Sequence, residues 1–257
     1  MKNKSITLQL RYLRRLTDPE VEMKEKNLQY ARVARQLPMD QTALIALDIW
    51  DRDLLADMRE RDDKITRERI VPVIRACRKA GLQIIHAPTM RIAMRSGNWV
   101  NLLKGETPPD RPYPQWQNSP IWPPNELLSA FYPPRDPRLD AAIKQESEET
   151  RFHELVKPEG EEGVIGNGEE LHRLCAQRKI FHLLYVGFHT PGCMNLRDYG
   201  ITAMRQRGFN CILLRDCTNG MEAPEHFDDQ IGMKAFIAFF ERNWIYTITS
   251  DELVEAL

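Results

Sequence analysis

The stretch Ile180-Phe-His-Leu-Leu-Tyr-Val-Gly187, followed by Phe188-His-Thr-Pro-Gly-Cys193, decides how the chain is to be read. An apolar segment too short for a helix meets a glycine, then a polar turn, then one cysteine at the head of a helix-like run. That order puts Cys193 past the carboxyl end of a strand, where open α/β sheets bind their ligands. A thiol at a helix N-terminus is drawn toward thiolate, because free N–H groups and the positive end of the macrodipole favour the charged form. The same N–H groups can hold an oxyanion. Two readings of Cys193 follow: a reactive nucleophile, or a buried cysteine that packs as a small hydrophobe. Its position beyond the strand end favours the first.

Outward from this block the pattern alternates. Downstream, residues 193–207 read as a helix ended by Gly208, Phe209-Asn-Cys-Ile-Leu-Leu-Arg-Asp216 as a strand, 225–242 as a helix, and Trp244-Ile-Tyr-Thr-Ile-Thr249 as a last strand before a short helix. Upstream, 168–179 reads as a helix and 139–155 as another, with a short strand-like segment ending at Val156-Lys157. Thr42-Ala-Leu-Ile-Ala-Leu-Asp48 is a continuous apolar run ending in an acid, as in a buried parallel strand. An amphipathic helix over 67–80, closed by Gly81, leads to a second strand at 82–87. Repeated β and α predict an α/β fold: one doubly wound, mostly parallel sheet with helices on both faces.

Residues 1–41 read as an N-terminal extension or arm before a domain at 42–257. Ile6-Thr-Leu-Gln-Leu-Arg-Tyr alternates as an edge strand does, and 27–37 has helical spacing. Between about 95 and 138 the periodicity vanishes and prolines concentrate with Trp99, Trp116 and Trp122. So long a stretch without pattern is expected to be an ordered insertion, a lid or a subunit contact, since three tryptophans can bury area.

Composition removes several function classes. The 36 basic and 37 acidic residues nearly cancel to a formal charge of -1, with no basic tract for a phosphate backbone, so nucleic acid is not an expected partner. Five scattered cysteines without a CxxC pair predict reduced thiols in a cytoplasmic protein. No leader-like h-region and no apolar run of membrane length are seen, so no membrane association is predicted. GxGxxG and Walker loops are missing.

Three strand-end residues stand out: Asp48, Lys157 and Cys193. Parallel strands share one carboxyl edge, so an acid, an amine and a thiol can converge there as base, orienting cation and nucleophile. Each has a plainer alternative: Asp48 as a helix N-cap, Lys157 as a solvated surface lysine.

The chain resembles the isochorismatase-like cysteine hydrolase superfamily, which includes nicotinamidases and N-carbamoylsarcosine amidohydrolases. The resemblance rests on Ala43-Leu-Ile-Ala-Leu-Asp48-Ile-Trp50, on Val156-Lys157-Pro158, and on Gly187-Phe-His-Thr-Pro-Gly-Cys193, and runs from about residue 42 to the C-terminus. It implies Asp48 as general acid/base, Lys157 as cationic partner and Cys193 as nucleophile. It also implies a cis peptide at Phe188–His189 and an oxyanion hole from the His189 and Cys193 amides. Trp50, Phe188 and Asn195 are candidate substrate-pocket residues. The second strand runs on as His86-Ala-Pro-Thr-Met, without the Asp-x-His element of metal-dependent nicotinamidases, so neither metal nor other cofactor is expected. The family's glutamine after the acid is Trp50, and Glu161-Glu-Gly-Val-Ile replaces the serine and phenylalanine after its lysine. The resemblance thus implies hydrolysis of a small amide, carbamoyl or ureido C–N bond through a thioester, in a homo-oligomer. The alternatives are an isochorismatase-type vinyl-ether hydrolase, a silent binding scaffold of the same fold, and a thiol redox sensor.

Overall fold

The computed structural model describes residues 4–106 and 137–257. Its centre is an eight-stranded sheet in the order β2-β1-β8-β7-β6-β3-β4-β5. Six strands run parallel: β3 (Thr42–Leu47), β4 (Gln83–Ala87), β5 (Gly163–Val164), β6 (His182–Gly187), β7 (Asn210–Leu214) and β8 (Tyr246–Ile248). The chain winds outward from β3 to β4 and β5 on one side, and from β6 to β7 and β8 on the other. The winding therefore reverses between β3 and β6, which pair along their whole length. Connections that leave in opposite directions open a crevice at the carboxyl ends of those two strands.

β3 is buried throughout because helices cover both faces. Ala43, Ile45 and Leu47 point into one apolar layer and Leu44 and Ala46 into the other, following the two-residue period of a strand. Each buried Leu or Ile contributes about 1.5–3 kcal/mol relative to exposure. On the Leu44 face lie α1 (Ala56–Ile65), a π-helical turn at Thr66–Ile70, α2 (Val71–Ala80) and the C-terminal helix of residues 250–256. The other face is covered by the helices that follow β5, β6 and β7. Helix formation thus begins at Ala56, ahead of the apolar periodicity at 67–80, because the first turns are charged and mostly solvated.

The extension is part of the same sheet. β1 (Ser5–Leu13) pairs antiparallel with β8 and with β2 (Tyr30–Pro38), placing Ile6, Leu8 and Leu10 in the core. The helix expected at 27–37 is therefore a strand. Its alternating Tyr-Ala-Arg-Val-Ala-Arg side chains lie on a sheet edge, and nine-residue pairing with β1 outweighs a weak helical spacing. The strand-like segment at 156–157 does not form either; β5 falls later, at Gly163–Val164. After β4 come α3 (Met90–Ala93) and a turn in which Trp99 bridges to Val164, its indole N–H donating to the buried Glu170 carboxylate at 3.0 Å. Trp116 and Trp122, and most of the expected insertion, lie outside the described residues. α4 (Pro137–Glu149) follows, then α5 (Gly168–Arg178), capped by Asn167. No helix among the described residues is long and apolar enough to cross a membrane.

Candidate active site

Asp48 and Cys193 meet at the β3–β6 crevice. Asp48 follows β3 directly, with a positive φ of 46° and 1% exposure, its amide tied to the Ala87 carbonyl. Gly187 ends β6 at φ 124°, where a Cβ would sit 1.9 Å from the Leu47 carbonyl oxygen. Only glycine lets the two strand ends approach so closely. The chain then passes through the Phe188–His189 peptide, which is cis, to Gly192 and Cys193.

Cys193 begins a helix of a single turn, α6 (Cys193–Leu196), not the long helix expected at 193–207. The chain leaves helical geometry at Arg197 and resumes as α7 (Ile201–Gln206). Gly200 permits the break: a Cβ there would lie 2.7 Å from the Met194 carbonyl oxygen. The interruption turns Arg197 back, so that its Nε donates to Asp48 Oδ2 at 3.1 Å. The buried Tyr199 hydroxyl lies 3.4 Å from Asp48 Oδ1 and 3.0 Å from the Pro88 carbonyl oxygen. After β7, the sheet's other helical layer is completed by α8 (Ile231–Arg242).

Burial raises the Asp48 carboxyl from 3.8 to about 6, against the opposing pull of Arg197, the Cys193 thiol and Tyr199. Cys193 is raised to about 11 by burial and by the neighbouring Asp48 charge, with Arg197 pulling the other way. A thiolate stabilised by the helix N-terminus is thus not what the site holds. One helical turn supplies little dipole, and desolvation beside a carboxylate dominates. The resting pair is a thiol facing a carboxylate that can take its proton. The amides of His189 and Cys193 make no hydrogen bond to any described residue.

The structure does not bring Lys157 to this pair. It is exposed, and no ion pair among the described residues joins it to Asp48. No strand ends at 157; Arg78 of α2 holds the Lys157 carbonyl at 2.9 Å, and pairs with Glu159 and Glu162. The cation beside Asp48 is Arg197. A signal for it was its position one helical turn after Cys193, but only the break at Gly200 aims it at Asp48.

A cavity of about 320 Å³ opens at Asp48, with Trp50, Asp53, Asp62, Phe188 and His189 in its wall. A second, of about 660 Å³, shares Trp50, Asp53 and His189 and continues to Leu54, Ile92 and Met221. Trp50 and Phe188 thus face the space beside Asp48, whereas Asn195 lines neither cavity and accepts a hydrogen bond from Thr202 at 2.5 Å. His189 Nε2 lies 2.7 Å from Asp62 Oδ2. Asp53, Asp62 and His189 each bring one ligand atom within 4.8 Å of the others, and they are the residues here that could hold a metal ion.

An α/β sheet with an acid and a cysteine at its winding reversal defines a class of hydrolase fold. A family model described as the isochorismatase domain matches residues 42–240, and the chain belongs to that family. Its fold is shared with a cysteine hydrolase from Pseudomonas syringae pv. phaseolicola 1448A (15% identity, TM-score 0.54, 86% of this chain and 93% of that one). It is shared likewise with an isochorismatase family protein from Desulfovibrio vulgaris subsp. vulgaris str. Hildenborough (13% identity, TM-score 0.51, 84% and 97%). N-carbamoylsarcosine amidase from Thermoplasma acidophilum also aligns, at 12% identity and TM-score 0.46 over 82% and 97%. No curated protein matches the sequence.

Proposed function

We propose that the protein is a cysteine hydrolase that cleaves the C–N bond of a small amide, carbamoyl or ureido compound. The observation that carries this reading is the pairing of Cys193 with a buried carboxylate raised to about 6, a base still ionised at neutral pH. Asp48 removes the thiol proton as sulfur attacks the carbonyl carbon. The oxyanion settles on the free His189 and Cys193 amides. Collapse breaks the C–N bond, and the protonated Asp48 returns its proton to the leaving nitrogen. Water, deprotonated by Asp48, then adds to the thioester, releasing the acid and restoring the thiol. Arg197 aims Asp48 and favours its ionised form ahead of each proton it takes up.

The test is an ammonia-release screen across primary amides and ureido compounds, with intact-mass detection of an acyl adduct on Cys193. Turnover lost in both Cys193→Ala and Asp48→Asn supports the thioester route. Turnover of an enol ether that survives Cys193→Ala would replace it with the vinyl-ether reading, in which Asp48 acts alone as acid. Catalytic silence with a Cys193 no more reactive toward iodoacetamide than the fully buried Cys77 would favour the scaffold.

A further inference from the structure

We infer that Tyr199 positions the base, its hydroxyl donating to Asp48 while that carboxylate is ionised and to the Pro88 carbonyl while it is protonated. The buried acid thus finds a matched partner in either state; for the turnover it serves, this role rests on the C–N hydrolase reading above. The Tyr199 hydroxyl stands between two acceptors, 3.0 Å from the Pro88 carbonyl oxygen and 3.4 Å from Asp48 Oδ1. It has a single proton, so it serves one of them at a time. The ring itself is held. Tyr199 is 2% exposed, and its own carbonyl accepts from the buried Tyr185 hydroxyl at 3.0 Å. Beside it, Asp198 Oδ2 accepts from the Gly168 amide at 2.7 Å, which ties the turn to the start of α5. Only the O–H bond is left free to turn.

The two oxygens of Asp48 then have different duties. Oδ2 holds the Arg197 Nε–H at 3.1 Å in a charge-assisted bond and is the poorer proton acceptor. The proton taken from Cys193 therefore goes to Oδ1, the oxygen that faces Tyr199. An O–H formed there would meet the tyrosine proton, and turning that proton to Pro88 removes the conflict. The tyrosine proton never leaves its own oxygen, because burial and the Asp48 charge push the hydroxyl well above its usual range. Tyr199 thus acts through Asp48 and takes no part in the bond changes. A donor that served both forms of the acid equally would leave its titration where it was; one that serves the carboxylate alone lowers it. Besides Tyr199, the groups acting directly on Asp48 are Arg197 and Cys193. Across the cavity stand Asp51, Arg52 and Asp53, then Arg59, Glu60, Asp62 and Asp63 of α1, with His153 and His189. Those charges are common to every protein compared in the test.

The test follows two acid limbs against pH: kcat/KM for a hydrolysed amide, and the rate at which iodoacetamide alkylates Cys193. The second needs no substrate, since alkylation climbs as the Asp48–Cys193 pair loses its first proton and a share of thiolate appears. Tyr199→Phe keeps the ring and removes the hydroxyl, whereas 3-fluorotyrosine in place of Tyr199 keeps both and strengthens the donor. Tyr199→Phe should move both limbs up by roughly 0.5–1 pH unit, one donor's share of what holds a carboxylate ionised, and 3-fluorotyrosine should move them down. In an Asp48→Asn background neither change should alter alkylation. Circular dichroism melting confirms that each variant folds, and if Tyr199→Phe does not, the fluorotyrosine protein carries the test by itself. Limbs that stay in place or move the opposite way, or an effect on alkylation that persists in Asp48→Asn, overturn the role; amide turnover in the same proteins then leaves the hydrolase reading intact. Shifted alkylation limbs in a protein that hydrolyses none of the amides screened above refute the hydrolase reading and leave the assignment of Tyr199 standing.

Discussion

Replacing Asp48 by asparagine keeps the volume of the side chain and removes its charge, and two opposite effects follow. Activity falls by roughly 10²–10⁴, the usual worth of a positioned acid/base. Stability at neutral pH rises. Burial lifts the folded-state carboxyl from 3.8 to about 6, so its ionised form is disfavoured in the fold by about 3 kcal/mol. Below pH 4 the group is largely protonated in folded and unfolded chains alike, and the penalty is small. As pH rises the unfolded chain releases the proton first, which favours unfolding. Once pH passes 6 the folded group ionises too and the penalty levels off. The advantage of Asp48→Asn over wild type should therefore grow between pH 4 and pH 7 and stay flat above. Urea unfolding of both proteins at intervals of pH reads this directly, and at neutral pH a gain of that size corresponds to a rise in Tm of roughly 6–12 °C. A stability difference that does not change with pH, or that swings toward wild type as pH rises, would mean that Arg197 outweighs desolvation, and the account of the base would be wrong.

The pH profile of kcat/KM should climb through about 6 as Asp48 ionises and hold level until the thiol begins to titrate toward about 11; a rate that instead falls between pH 5 and pH 7 would contradict Asp48 as base. Arg197→Met should move that acid limb to higher pH, because the largest force holding Asp48 ionised is gone, and should lower kcat/KM at least tenfold. Lys157→Met, in the same assay, should change kcat/KM less than twofold, since the side chain is exposed and apart from the pair; a large loss would restore the lysine to the site. Gly187→Ala should destabilise the fold by at least about 3 kcal/mol or prevent folding, as the new Cβ meets the Leu47 carbonyl oxygen at 1.9 Å and the φ of 124° is strained for alanine.

The sheet was legible wherever an apolar run was buried on both faces. Residues 42–48, 82–87, 180–187 and 209–216 mark β3, β4, β6 and β7 to within two residues, because continuous apolar strands bounded by glycine or an acid admit few other structures. The register of those strands then delivers Asp48 and Cys193 to one crevice, the part of the site that topology alone dictates. What was not legible depends on tertiary pairing. The charged turns of α1 carry no periodicity, and β2 is a strand only because β1 is beside it. Lys157 looked like a strand-end residue because Val156 is apolar, yet Val156 is buried from a loop. The role of Arg197 could not be read from spacing, since it arises from a helix that stops.

That stop gives the site an unusual mechanical unity. Nucleophile and cation are four residues apart on one short turn, linked by the Arg197 amide to the Cys193 carbonyl at 3.1 Å, while the base stands just past the end of a separate, fully buried strand. Any displacement of the turn relative to β3 moves the sulfur and the guanidinium together. Drawing it away takes the thiol off line and simultaneously makes Asp48 harder to ionise; bringing it in aligns the sulfur and readies the base in the same motion. Basicity and attack distance are thus a single coordinate of the molecule.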